Sequence, residues 1–110
     1  MKFTTLIPKA YNDGTPVPPA LLERLVEEMY SPIGGVSYEG EIRGVWTDQG
    51  VQYRDVSEKV SIVCDREQLN RMIRSVRKIG RRLKQKAMYI EVSGYDGVQI
   101  LDMDGKEGLR

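Results

Sequence analysis

Hydrophobic and polar positions along the chain change period several times, and each change marks an element. Residues 2–8, KFTTLIP, are β-branched and aromatic and stop at Pro8, which predicts a first strand. The loop after it, KAYNDGTPVPP, is dense in turn formers and bends at Asn12, Asp13 and Gly14. Pro18 and Pro19 stand where a helix accepts proline, in its first turn, and Leu21, Leu22, Leu25, Val26 and Met29 recur on one helical face. This first helix reaches Tyr30, and Pro32, Gly34 and Gly35 of SPIGG end it.

From Val36 the period is two, with Val36, Tyr38, Ile42 and Trp46 on one side and Ser37, Glu39, Glu41 and Arg43 on the other. DQGV supplies a tight turn at Gly50, and residues 51–64 return, so residues 36–64 read as one long hairpin. A two-residue loop pairs Trp46 with Tyr53 but also sets Glu41 opposite Glu58, a like-charge contact. One extra residue near Asp55 and Val56 removes it. Ile42 then faces Val56, Tyr38 faces Val60 and Val36 faces Ile62, while Arg43 meets Asp55 and Glu39 meets Lys59. A bulge at residues 55–56 is the expectation.

Asp65 with Gln68 three places on starts a second helix, whose inner stripe is Leu69, Met72, Ile73, Val76, Ile79 and Leu83. AMYIEVSG alternates again, YDG turns, and VQIL reads as a short last strand. The order predicts an α+β, ferredoxin-like βαββαβ fold: an antiparallel sheet, two helices on one face, and a long hairpin between the second and third strands. Residues 1–101 form one domain in this reading, and residues 102–110 a frayed tail.

With 110 residues and a formal charge of +1, the chain has the size and balance of one globular domain. No run approaches the ~18 apolar residues of a membrane span, and MKFTTLIPKA lacks the apolar core and cleavage site of a signal peptide, so the expectation is a cytoplasmic protein with no membrane partner. One cysteine, Cys64, and no histidine exclude an internal disulfide, a Cys-based zinc knuckle, imidazole ligands and Ser/His or Cys/His nucleophile pairs. No metal, cofactor or catalytic residue is expected.

Charge changes the picture in one place. Residues 66–86 hold nine Lys or Arg and one acid, Glu67, so this segment carries +8 and the remainder −7. At 100° per residue, Arg71, Arg74, Arg77, Lys78, Arg81 and Arg82 form an arc opposite the apolar stripe, a surface able to follow a phosphate backbone in RNA or DNA. The competing account is structural: Glu23, Glu27 and Glu28 make the first helix acidic, and the two helices pair. The sheet offers RNA no base-stacking platform, because its outward positions are Thr4, Leu6, Lys59 and Ser61.

Chemistry has few candidates. Cys64 continues the inward series Val60, Ile62 and reads as core. Glu39 and Glu41 lie two apart, the spacing of a carboxylate pair, with Arg43 and Lys59 competing for them. Glu58 turns toward the helices at a rim or small cleft, and Trp46 with Tyr53 clamps the hairpin end or contacts a partner or ligand.

Gly34, Gly35, Gly44, Trp46, Tyr53 and Asp55, with NDG before the first helix, resemble a family of small uncharacterised bacterial proteins with a GG…G.W…Y.D layout, over residues 3–92. The resemblance implies a compact cytoplasmic domain with architectural glycines and aromatics. On these grounds a noncatalytic protein-interaction or regulatory module ranks first, with a protein partner or a homodimer formed through a sheet edge or the hairpin. Nucleic-acid binding through the second helix ranks second, and a small enzyme with carboxylate chemistry third.

Overall fold

The computed structural model describes residues 1–94 and 97–103, with the backbone alone at 97–100. The elements are β1 (Lys2–Pro8), α1 (Pro19–Tyr30), β2 (Ser37–Asp48), β3 (Val51–Val63), α2 (Leu69–Arg82), β4 (Ala87–Val92) and β5 (Gly97–Asp102), and a 3-10 turn, Arg66–Gln68, leads into α2. The strands form one antiparallel sheet in the order β2-β3-β1-β4-β5. This is the expected ferredoxin-like arrangement with β1 at its centre, widened by β5 at the edge of β4. Among the described residues no helix is long and apolar enough to cross a membrane.

The core follows the two periods. Phe3, Thr5 and Ile7 alternate toward the helices and are fully buried, and in register they meet Ile62 and Val60 on one side and Val92 and Ile90 on the other. All six residues of the α2 stripe are buried, as are Leu25, Val26 and Met29 of α1, whereas Leu21 and Leu22 are half-buried at its exposed start. Each fully buried aliphatic side chain contributes about 1.5–3 kcal/mol relative to exposure. The Gln68 side chain accepts the Asp65 N–H at 2.8 Å, fixing the entry to α2 at the expected place. Gly80 lets α2 close on the sheet, because a Cβ there would stand 2.8 Å from Met88 Cγ and from the end of Met103. Met103 is itself buried, just past the end of β5, and residues 104–110 of the expected tail lie outside the described residues.

The hairpin corrects one expectation. Gln49 and Gly50, at φ 52° and 80°, make the tight turn, and pairing runs unbroken from Asp48–Val51 through Trp46–Tyr53 to Gly40–Lys59. The bulge is in β2, where Glu39 and Gly40 together face Lys59, and residues 55–56 are regular. Gly40 sits at φ 108°, open to glycine and strained for other residues, so the irregularity settles where the chain tolerates it. The Glu41–Glu58 pair survives because Lys9 reaches Glu41 at 3.0 Å and supplies the missing countercharge.

The β1 ladder with β3 ends at Pro8–Ser57. The Lys9 N–H still bonds the Val56 carbonyl, and beyond it residues 43–55 continue as a two-stranded ribbon with no third strand beside them among the described residues.

Candidate functional site

Register assigns every hairpin side chain to one of two faces. The face away from the helices carries Lys2, Thr4 and Leu6 of β1, Lys59 and Ser61 of β3, and Ser37 and Ile42 of β2, so the four outward positions expected from the sequence are outward. The bulge rotates Glu39 onto this face beside them. Its carboxylate accepts the Ser61 hydroxyl and lies 3.1 Å from Lys2 Nζ and 3.6 Å from Lys59 Nζ. The Ser61 hydroxyl and Lys2 hold the Glu39 carboxyl below the usual glutamate range. Glu41, one residue beyond the bulge, pairs with Glu58 on the opposite face. The carboxylate pair expected from their spacing is therefore split between faces, because one inserted residue reverses the alternation.

Around Glu39 the sheet is hollow. Lys2, Gly35, Val36, Ser37, Glu39, Ser61 and Val63 line an open depression of about 360 Å³. Glycine and two serines leave the floor low, and Val36 and Val63 give it apolar sides. A second hollow, between α1 and α2, measures about 50 Å³, too small for more than a water or two. The sequence hid the larger one because its walls come from three strands and a loop.

At the far end of the same face Trp46 stacks on Tyr53, ring centroids 4.4 Å apart, and its indole N–H donates to Asp55. Lys86 Nζ lies 5.9 Å over the Tyr53 ring. Asp55, expected against Arg43, stands opposite Gly44 instead and serves the indole.

The helix-facing side of the hairpin base differs. Glu58 points there, opposite Ile7 and Glu41. Partial desolvation pushes the Tyr38 phenol up, and Tyr30, Glu23, Glu58 and Glu27 reinforce the shift. These groups make an acidic, aromatic corner between α1 and β2.

On α2, Arg71, Arg74, Lys78, Arg81 and Arg82 are exposed, and Lys78 meets Glu28 of α1 at 3.7 Å. Arg77 is not part of the arc. It is buried and its Nη1 donates to the Asp102 carbonyl, because β5 extends the sheet beneath that flank of the helix. Cys64 is buried, and burial pushes its thiol up, as suits a core residue. Among the described residues no group of three or more Cys, Asp or Glu is arranged to hold a metal.

No model of a known protein family matches the chain, and no curated protein does. Solved structures do match. A phage SAM lyase in complex with S-methyl-5′-thioadenosine aligns over 96% of this chain and 92% of its own, with a TM-score of 0.73 at 14% identity. The phage SAM lyase in its apo state aligns over 96% and 91%, with a TM-score of 0.68 at 16% identity. This likeness shows the fold.

It also corrects the functional ranking. A noncatalytic module was expected because the chain lacks histidine and any catalytic motif, yet the fold matched over nearly the whole of both chains is that of an enzyme. The absence of histidine excluded only imidazole chemistry. Binding of RNA or DNA through α2 fits the likeness no better.

Proposed function

We propose that this chain is a lyase that cleaves S-adenosylmethionine and releases S-methyl-5′-thioadenosine. The observation that carries the reading is the end-to-end structural match to the phage SAM lyase. The hollow at Glu39 supports it in size, since small-molecule sites occupy roughly 300–1,000 Å³, and in chemistry. An anionic Glu39 attracts the substrate's ammonium or sulfonium, Lys2 and Lys59 attract its carboxylate, and Val36 and Val63 offer contact to the uncharged nucleoside.

A lyase breaks the Cγ–S bond without water. The substrate's own α-carboxylate is the nucleophile within reach of Cγ: it forms the C–O bond, the Cγ–S electron pair leaves with sulfur, and the products are the neutral thioether and homoserine lactone. No proton enters or leaves. The other route, removal of a Cβ proton, needs a strong base, and a carboxylate held below its usual range, as Glu39 is, makes a poor one. Internal displacement also cancels an anion against a cation, so it runs faster in a dry site than in water. The chain's contribution is to fold the substrate's carboxylate onto Cγ. One reduced thiol, Cys64, suits a cytoplasmic setting.

The test is direct. Purified protein incubated with S-adenosylmethionine should release methylthioadenosine and homoserine lactone one for one, well above the uncatalysed rate, by liquid chromatography with mass detection. Absence of methylthioadenosine above background would sink the proposal. Methylthioadenosine accompanied by vinylglycine would keep the lyase and reject internal displacement. Lys2→Ala and Glu39→Gln are expected to raise KM about tenfold or more, the loss of roughly 1.4 kcal/mol of binding.

A further inference from the structure

The two oxygens of the Glu39 carboxylate are not equivalent. Oε2 is taken by the Ser61 hydroxyl and by Lys2 Nζ at 3.1 Å. Oε1 has Lys59 Nζ at 3.6 Å, longer than a hydrogen bond. Oε1 therefore has room for a further donor, and the Glu39 side chain is 25% exposed where it lines the hollow.

One carboxylate flanked by two ammonium groups puts opposite charges within a few ångströms of each other. That spacing suits a ligand whose own opposite charges are equally close. In S-adenosylmethionine the α-ammonium and the α-carboxylate share one carbon, whereas the sulfonium stands beyond Cβ and Cγ. The energetics also separate the two cations. Displacement at Cγ consumes the sulfonium charge, so an anion beside sulfur would hold the ground state more tightly than the transition state and slow the step. The ammonium keeps its charge throughout, and a carboxylate there binds the substrate without opposing the chemistry. Lys2 and Lys59 meet the same limit at the nucleophile. Glu39 between them offsets part of their charge, which leaves the substrate carboxylate oriented but reactive.

We infer that the hollow reads the α-amino-acid end of the substrate: Glu39 Oε1 accepts the α-ammonium, Lys2 and Lys59 flank the α-carboxylate, and the sulfonium lies outward, beyond reach of Glu39. Glu39 is then a specificity residue for the amino group, indifferent to the charge on sulfur. The inference takes its ligand from the lyase reading and goes beyond it in assigning each charge. S-adenosylhomocysteine, with the same amino-acid end and a neutral sulfur, should occupy the site without reacting, because its Cγ–S bond would have to expel a thiolate rather than a neutral thioether.

Isothermal titration calorimetry on wild type and Glu39→Gln, both checked for folding by circular dichroism, tests this with unreactive ligands: S-adenosylhomocysteine, its desamino analogue and methylthioadenosine. Wild type should bind S-adenosylhomocysteine about tenfold or more tighter than the desamino analogue. Glu39→Gln should erase that difference while binding the desamino analogue and methylthioadenosine as wild type does. An amino-group preference that survives in Glu39→Gln overturns the inference. So does S-adenosylhomocysteine binding left unchanged by the substitution while KM for S-adenosylmethionine rises, which puts Glu39 at the sulfonium. Equal weakening of every ligand overturns it as well, since Glu39 then shapes the hollow. The lyase reading is decided separately, by release of methylthioadenosine: a Glu39-dependent amino preference without turnover keeps the site and removes the lyase, turnover without that preference does the reverse, and absence of both removes both.

Discussion

Lys84 ends α2 in the left-handed region at φ 56°, while the Lys84 N–H bonds the Arg81 carbonyl and the Gln85 N–H bonds the Gly80 carbonyl. That is a helix stop in which glycine is the unstrained choice. Lys84→Gly is expected to raise stability by about 1 kcal/mol, read as a higher denaturation midpoint. Glu39 carries the residue-scale pH effect. Its folded pKa is depressed by the Ser61 hydroxyl and Lys2, so the stability it contributes is present above the ordinary value of 4.5 and is lost as pH falls through the folded value. Glu41, depressed by Lys9, acts in the same direction. Denaturation midpoints should fall as pH drops below 4.5, and the Glu39→Gln variant should lose less over that window; an equal loss would mean that the shift is absent.

At the scale of elements, the hairpin shows how a like-charge conflict is resolved. Sequence arithmetic found the Glu41–Glu58 clash and sought relief in a bulge on β3; the chain instead tolerates the pair through Lys9 and puts the bulge at Gly40. The error has a physical cause, since Lys9 lies 32 residues from Glu41 in the chain and cross-strand rules alone do not supply it. Gly40→Ala should destabilise by about 1–2 kcal/mol because of its positive φ. Gly44→Ala, with open space at its Cβ, should stay within about 0.5 kcal/mol. Matching urea midpoints for the two variants would contradict this account of the bulge.

Across the whole molecule, β5 has the largest unexpected consequence. It completes a wider sheet and draws Arg77 inward, away from the arc that helical periodicity assigned it. Arg77→Ala should leave the core standing but loosen the edge, with amide exchange in β5 accelerating first, for a loss of about 1–3 kcal/mol. Ile73→Ala, at the fully buried centre of α2, should cost about 2–5 kcal/mol and unfold the domain as a unit.

By itself the sequence determined what local periodicity and capping determine: the elements, both helical stripes, the hairpin turn at Gly50, the inward placement of Cys64 and the ferredoxin-like order. Those properties depend on neighbours within a turn or a strand pair. Tertiary structure decided where the bulge falls, which face each glutamate takes, that Arg77 is buried, and that Lys2, Ser37, Glu39 and Ser61 meet around one hollow. Each of these depends on a partner far along the chain, brought near only when β1, β2 and β3 lie side by side. A site assembled across three strands leaves no motif in any one of them.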